Sequence, residues 1–171
     1  MKAPHGLSVR PTSDRVKEAL FNILGVLVDR SRFLDLFAGT GNVGIEALSR
    51  GAETTVFVEK KVQNIQIIRQ NLSITGLAAK SRLICSSVDQ ALLMLGREGQ
   101  KFDIIFVDPP YHKDLVPGTL EGIVKNDLLI REGMVIIESS KKDLLPQEML
   151  FLMLARQEYY GDNVLSFYSI N

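Results

Sequence analysis

The chain has 171 residues, enough for one domain with a real core, and its Lys+Arg and Asp+Glu both total 20, a formal net charge of zero. That balance excludes a protein that grips nucleic acid through charge alone; no apolar run approaches the roughly 20 residues of a membrane span, and no secretory signal opens the sequence. Cys85 is the only cysteine and the two histidines lie far apart, so an internal disulfide is impossible, no metal-ligand spacing stands out, and a cytoplasmic setting is expected.

The sequence opens with a short irregular stretch through Gly6. Pro11, with Thr12 or Ser13 as cap, then starts a helix. Its apolar stripe is Val16, Ala19, Leu20, Ile23, Leu24 and Leu27, and Gly25 weakens the later part. The polar group at its head, Arg10, Thr12, Asp14 and Arg15, suits either a capping cluster or a polar wall of a ligand site.

From Phe33 to Arg50 the pattern is strand, glycine turn, helix. Phe33, Leu34, Leu36 and Phe37 form the apolar run, and Gly39, Gly41 and Gly44 follow it. Glycines there allow left-handed backbone and a close approach of ligand to main chain. Taken literally, Gly39 to Gly44 is G-x-G-x-x-G with Glu59 at about the ribose-binding distance, which suggests a dinucleotide. Asp35 argues against that reading, because a carboxylate at the strand end repels a pyrophosphate. It suits a ligand carrying an ammonium and a sulfonium, such as S-adenosylmethionine (SAM). The expected cofactor wall is therefore Asp35, Phe37, Ala38, Gly39, Thr40 and Gly41.

Thr54–Glu59 reads as a second strand ending in an acid that can accept from both ribose hydroxyls. Lys60 to Thr75 reads as a helix with Val62, Ile65, Ile68 and Leu72 inward. Lys60 and Lys61 carry the mark of solvated charges, although Lys60, next to Glu59, is counted with the cofactor wall. Arg82 to Ser86 is a third strand, with Cys85 as a small core residue. Ser87 and Val88 then occupy a strand-to-helix turn where an adenine can be held. Phe102 to Asp108 is a buried strand running into Pro109-Pro110-Tyr111. A loop and helix cover His112 to Asp127, with His112 a loop residue beside the site. Gly133–Glu138 is a further strand; Glu148–Glu158 and Val164–Ile170 are the sixth and seventh, joined by a hairpin turn. The expectation is a single domain over residues 1–171, a three-layer Rossmann-like α/β fold whose mostly parallel seven-stranded sheet ends in an antiparallel hairpin.

Asp108-Pro109-Pro110-Tyr111 selects the chemistry. Both prolines have fixed φ and lack an N–H, so the turn is stiff and the Pro109 carbonyl can be left free. With the Asp108 carboxylate it offers two acceptors, which suit the two N–H donors of an exocyclic amine. Tyr111 offers a flat face for the ring that carries that amine.

Four blocks carry a resemblance: RPTSDRVKEALFNIL from Arg10, FLDLFAGTGNVGIEALSRGA from Phe33, FDIIFVDPPY from Phe102 and YYGDNVLSFY from Tyr159. Together they resemble the bacterial RsmD-type methyltransferases, from about Val9 onward. The D-P-P-Y block is shared by many amino-methyltransferases of DNA, RNA and protein; R-P-T-x-D-R-V and E-A-L-S-R-G-A narrow the likeness. The resemblance implies transfer of a methyl group from SAM to the N2 amine of a guanine in 16S ribosomal RNA, with a small-subunit particle as the form of the substrate, no metal and no membrane. The alternatives are another amino-methyltransferase (of adenine N6 or protein glutamine), a dinucleotide-dependent oxidoreductase, and a non-catalytic RNA-binding module. Two departures stand out. Family members carry a basic Gly-Arg-containing stretch before R-P-T where this sequence has nine residues, and Ser87 replaces an acid or amide at the adenine turn.

Overall fold

A computed structural model describes residues 11–110 and 115–171. Arg10, Tyr111 and His112 lie outside the described residues, as does the side chain of Thr12.

Eight strands form one sheet: β1 (Arg32–Leu36), β2 (Thr54–Glu59), β3 (Ser81–Cys85), β4 (Phe102–Val107), β5 (Leu129–Ser140), β6 (Glu148–Met149), β7 (Leu152–Tyr160) and β8 (Asn163–Ile170). Their spatial order is β3-β2-β1-β4-β5-β8-β7-β6. The first five run parallel, and β8, β7 and β6 are added antiparallel. The helices α1 (Pro11–Leu24), α2 (Asn42–Ser49), α3 (Val62–Thr75), α4 (Val88–Arg97) and α5 (Val116–Lys125) cover both faces. No described helix is long and apolar enough to cross a membrane.

Period-two alternation sorts the strands into two cores. Phe33, Phe57, Ile104, Phe106 and Ile136 pack under α1, α2 and α3. Leu34, Leu36, Val56, Ile105, Val107 and Ile137 pack under α4 and α5. Strands buried on both faces read as continuous apolar runs, which is why β1 and β4 stand out in the sequence.

Three expectations need correction. The stretch expected as a sixth strand is two strands, because Leu150 takes a left-handed φ of 55° and folds Glu148–Met149 back onto Leu152 and Met153. The sheet therefore has eight strands, not seven. Leu27 and Val62 are exposed. Gly25, with φ of 49°, opens a 3-10 turn over Gly25–Val28; the tighter period moves Leu27 off the stripe and buries Val28 instead. Val62 is the first residue of α3, outside its packed turns. Cys85 is exposed, since it ends β3, an edge strand.

Candidate active site

The strand order reverses between β1 and β4, and ligands of such sheets bind beyond the carboxyl ends of the strands at that point. In register across the sheet, Asp35 stands level with Phe57 on β2 and Phe106 on β4, and Phe106 is level with Ile136 on β5. Two residues further along come Glu59 at the end of β2, Asp108 just past β4 and Glu138 within β5. Alternation thus turns one face apolar and ends it in acids. Main-chain bonds lash these ends together: Ala38 N–H donates to Val58 O at 3.0 Å, Ser86 N–H to Glu59 O at 3.2 Å, and Asp108 N–H to Leu36 O at 3.4 Å.

The glycine turn is held from below by two carboxylates. Gly39 and Gly41 have φ of 55° and 78°, the backbone that favours glycine. Gly39 N–H donates to Glu59 Oε2 at 2.9 Å, and Lys61 N–H to Glu59 Oε1 at 2.8 Å. Gly44 N–H, at the start of α2, donates to Asp35 Oδ2 at 2.9 Å. Gly44 acts by lack of bulk: a Cβ there would sit 2.3 Å from the Phe57 ring and 2.9 Å from Asp35 Oδ2. Phe37, expected as the last residue of the strand, lies beyond it with a left-handed φ of 59°. Such backbone in a bulky residue costs free energy and is held by its surroundings.

Two cavities open on this edge, and Phe37 and Asp108 line both. The larger, about 630 Å³, includes Val58, Glu59, Lys60, Ser87, Val88 and Pro110 in its wall. The smaller, about 230 Å³, takes in Lys17, Asp35, Ala38, Gly39, Thr40 and Glu138. Most residues expected from the sequence thus meet at one place. Gly41 and Pro109 line neither of these cavities; Gly41 shapes the turn, its N–H bonded to Ala38 O at 2.8 Å. Arg15 is exposed on α1 and lines neither cavity; Lys17 is the basic residue that α1 brings to the site. Sequence reasoning missed Lys17 and Glu138, and also Asn64 and Asp89 of the larger cavity. For Glu138 a signal existed: it ends a strand of the same type as the one ending at Asp108.

The electrostatics are unusual. Burial pushes the Asp35 carboxyl up to about 7, against the Gly44 N–H and with help from Asp108 and Glu59. Burial likewise raises Glu138 to about 8, with a smaller contribution from Asp108. Solvent reaches Asp108 through the cavities, yet protein crowds its other sides and raises it to about 6. Its smaller rise fits its place at the mouth.

These residues fit SAM better than a dinucleotide. The larger cavity is of a size for a nucleoside. Glu59 already accepts two main-chain bonds, and a carboxylate has roughly four lone-pair sites, which leaves acceptors for ribose hydroxyls. The smaller cavity has three carboxyl groups beside one lysine, a field that favours cations and opposes a pyrophosphate.

A three-layer sheet of this order, with an acid in β1, a glycine turn after it and an acid at the end of β2, is the arrangement of the SAM-dependent methyltransferase fold. The sequence matches the family described as "Conserved hypothetical protein 95" over residues 1–169, and the chain belongs to that family. It is 37% identical to YlbH of Bacillus subtilis, covering 94% of this chain and 88% of that protein. It is 34% identical to Ribosomal RNA small subunit methyltransferase D of Escherichia coli, over 94% of this chain and 79% of that protein. A solved conserved hypothetical protein of Streptococcus pyogenes superposes with a TM-score of 0.83 at 34% identity, covering 91% of this chain and 95% of that one. More distant neighbours of the same fold include a SAM-dependent methyltransferase and a complex with S-adenosylhomocysteine. The chain has the fold of the SAM-dependent methyltransferases and belongs with relatives named as methyltransferases.

Proposed function

We propose that this protein methylates the exocyclic N2 amine of a guanine in 16S ribosomal RNA, acting on a small-subunit particle in the cytoplasm. The observation that carries the reading is the place of Asp108: it follows directly on β4, opens the rigid Pro109-Pro110 turn and lines both cavities. The RNA substrate and the subunit are supported by the name of the Escherichia coli relative and by the four sequence blocks above.

In this reading Glu59 accepts from the ribose, Lys60, Ser87 and Val88 flank the adenosine, and Asp35 faces the cationic end, with Ala38 to Gly41 as the floor. When bound, SAM supplies an electrophilic methyl group on a sulfonium. The guanine amine is a poor nucleophile because its lone pair is delocalised into the ring, and a base within folded RNA must be flipped out to reach any such pocket. Tyr111 stacks the flipped base; Asp108 and the Pro109 carbonyl accept the two amine hydrogens. Accepting them turns the lone pair away from the ring and stabilises positive charge growing on nitrogen. Holding amine and methyl in line supplies much of the remaining acceleration. Asp108 need not be a strong base, because the proton becomes acidic only as the new bond forms.

The test is transfer of a labelled methyl from SAM to small-subunit particles, followed by nucleoside digestion. The expected product is N2-methylguanosine in 16S RNA. Label in N6-methyladenosine or in protein glutamine, or no transfer at all, overturns the proposal.

A further inference from the structure

Glu138 is an acid that neither sequence motif contains. It lies within β5, level with the residue that follows β4, Asp108, because Val107 pairs with Ile137 in the parallel ladder. It faces the smaller cavity together with Lys17 from α1, Asp35 from β1 and Asp108 from β4. On its other flank Asn163 of β8 donates from Nδ2 to Glu138 Oε1 at 3.2 Å. Among the described residues, no ion pair neutralises either Glu138 or Asp108, and no group of acids stands in metal-holding geometry. Two carboxyl groups side by side on one cavity, with no ion pair to either, do not both ionise freely. Such a pair retains one proton where separate acids retain none.

Resting on the functional reading above, we propose that Glu138 is the proton-sharing partner of Asp108 and that the pair carries the amine proton out of the site during methyl transfer. The balance is simple. The N2 lone pair forms the new N–C bond while the C–S bond breaks with its electrons left on sulfur. The positively charged nitrogen then loses one N–H proton to the Asp108 carboxylate. The pair, which already held one proton, now holds two. The doubly protonated pair is a stronger acid than the singly protonated one, so it releases one proton to water in the smaller cavity and returns to its starting state. Both acids are raised in the direction this requires, Glu138 more than Asp108. Glu138 acts through Asp108, as a positioning and relay residue.

Glu138→Gln tests this, since the amide keeps the side chain's shape and an oxygen for Asn163. Turnover at pH 7 is expected to fall ~10-fold, within the range of a lost proton-transfer partner, while SAM affinity stays level. The pairing itself is read on Asp108→Asn: carboxyl titration by 13C NMR on the SAM-free protein is expected to show Glu138 titrating about one unit lower, as the like-charged neighbour it titrates against is lost. Glu138→Asp, which retains a carboxyl, recovers part of the turnover. Parental turnover in Glu138→Gln overturns the proposal. If Glu138→Gln does not fold, the Asp108→Asn titration stands alone; a Glu138 carboxyl that does not titrate lower overturns the pairing. A shifted titration in a protein that transfers no methyl to ribosomal particles supports the pair and overturns the functional reading.

Discussion

The two cavities share a wall but differ in character. The larger has apolar side chains of Phe37, Val58, Val88 and Leu115 with polar groups among them. The smaller gathers Asp35, Asp108, Glu138 and Lys17. Strand alternation produces much of the difference: Val58 belongs to the core under α4 and α5, whereas Asp35 extends the row of Phe57 and Phe106 from the core under α1 to α3. A sheet edge of this kind can thus bind with one side and react with the other. Asp108 lines both, and in the proposed reading it is where the two functions meet.

Substitutions on the two sides should separate these functions. The largest effect is expected for Asp108→Ala: turnover falls by roughly a hundredfold or more, the scale of losing one preorganised electrostatic partner, with SAM affinity nearly intact. Single-turnover rates alongside calorimetry check the split, and equal losses in both would erase the distinction. On the binding side, Glu59→Ala should weaken SAM by about 1.5–3 kcal/mol through lost charge-assisted bonds; a folded variant with the parental Kd would remove Glu59 from the ribose. Gly44→Ala probes the packing that holds Asp35. Its Cβ would meet Phe57 at 2.3 Å, so a urea melt should show a loss of about 1–3 kcal/mol, and full parental stability would mean the site relaxes freely.

A further effect is a pH dependence of stability. Asp35 binds its proton more tightly folded, at about 7, than an ordinary aspartate does at 3.8. The folded state therefore holds more protons between these limits, and this group's contribution to stability falls as pH rises from 3.8 to about 7. Asp35→Asn should flatten that part of the slope in calorimetric melts of the SAM-free protein. A slope of the same steepness in both proteins would assign the effect to other groups.

Much of the binding side was legible because its signals are local. Thr54–Glu59 is a strand with the expected bounds, and Gly39, Gly41 and Ser87 stand at the turns their residue types suggest. The reacting side is assembled from distant segments. Glu138 comes next to Asp108 only through the β4–β5 register, and Lys17 reaches the cavity only through the packing of α1 on the sheet. Local patterns do not encode which strands are neighbours. The fold of Glu148–Met149 onto β7 was also hidden, since Leu150 is a residue with no preference for the left-handed backbone it adopts. Cys85 looked like core by composition, and only the strand order makes β3 an edge.

The division between the cavities is tested most directly by a crystal structure of the protein with S-adenosylhomocysteine. The account predicts adenine against Val88 in the larger cavity, ribose hydroxyls within hydrogen-bond distance of Glu59, and the amino group on the Asp35 side. An adenosine lodged in the smaller cavity, or a ribose that leaves Glu59 untouched, would contradict it.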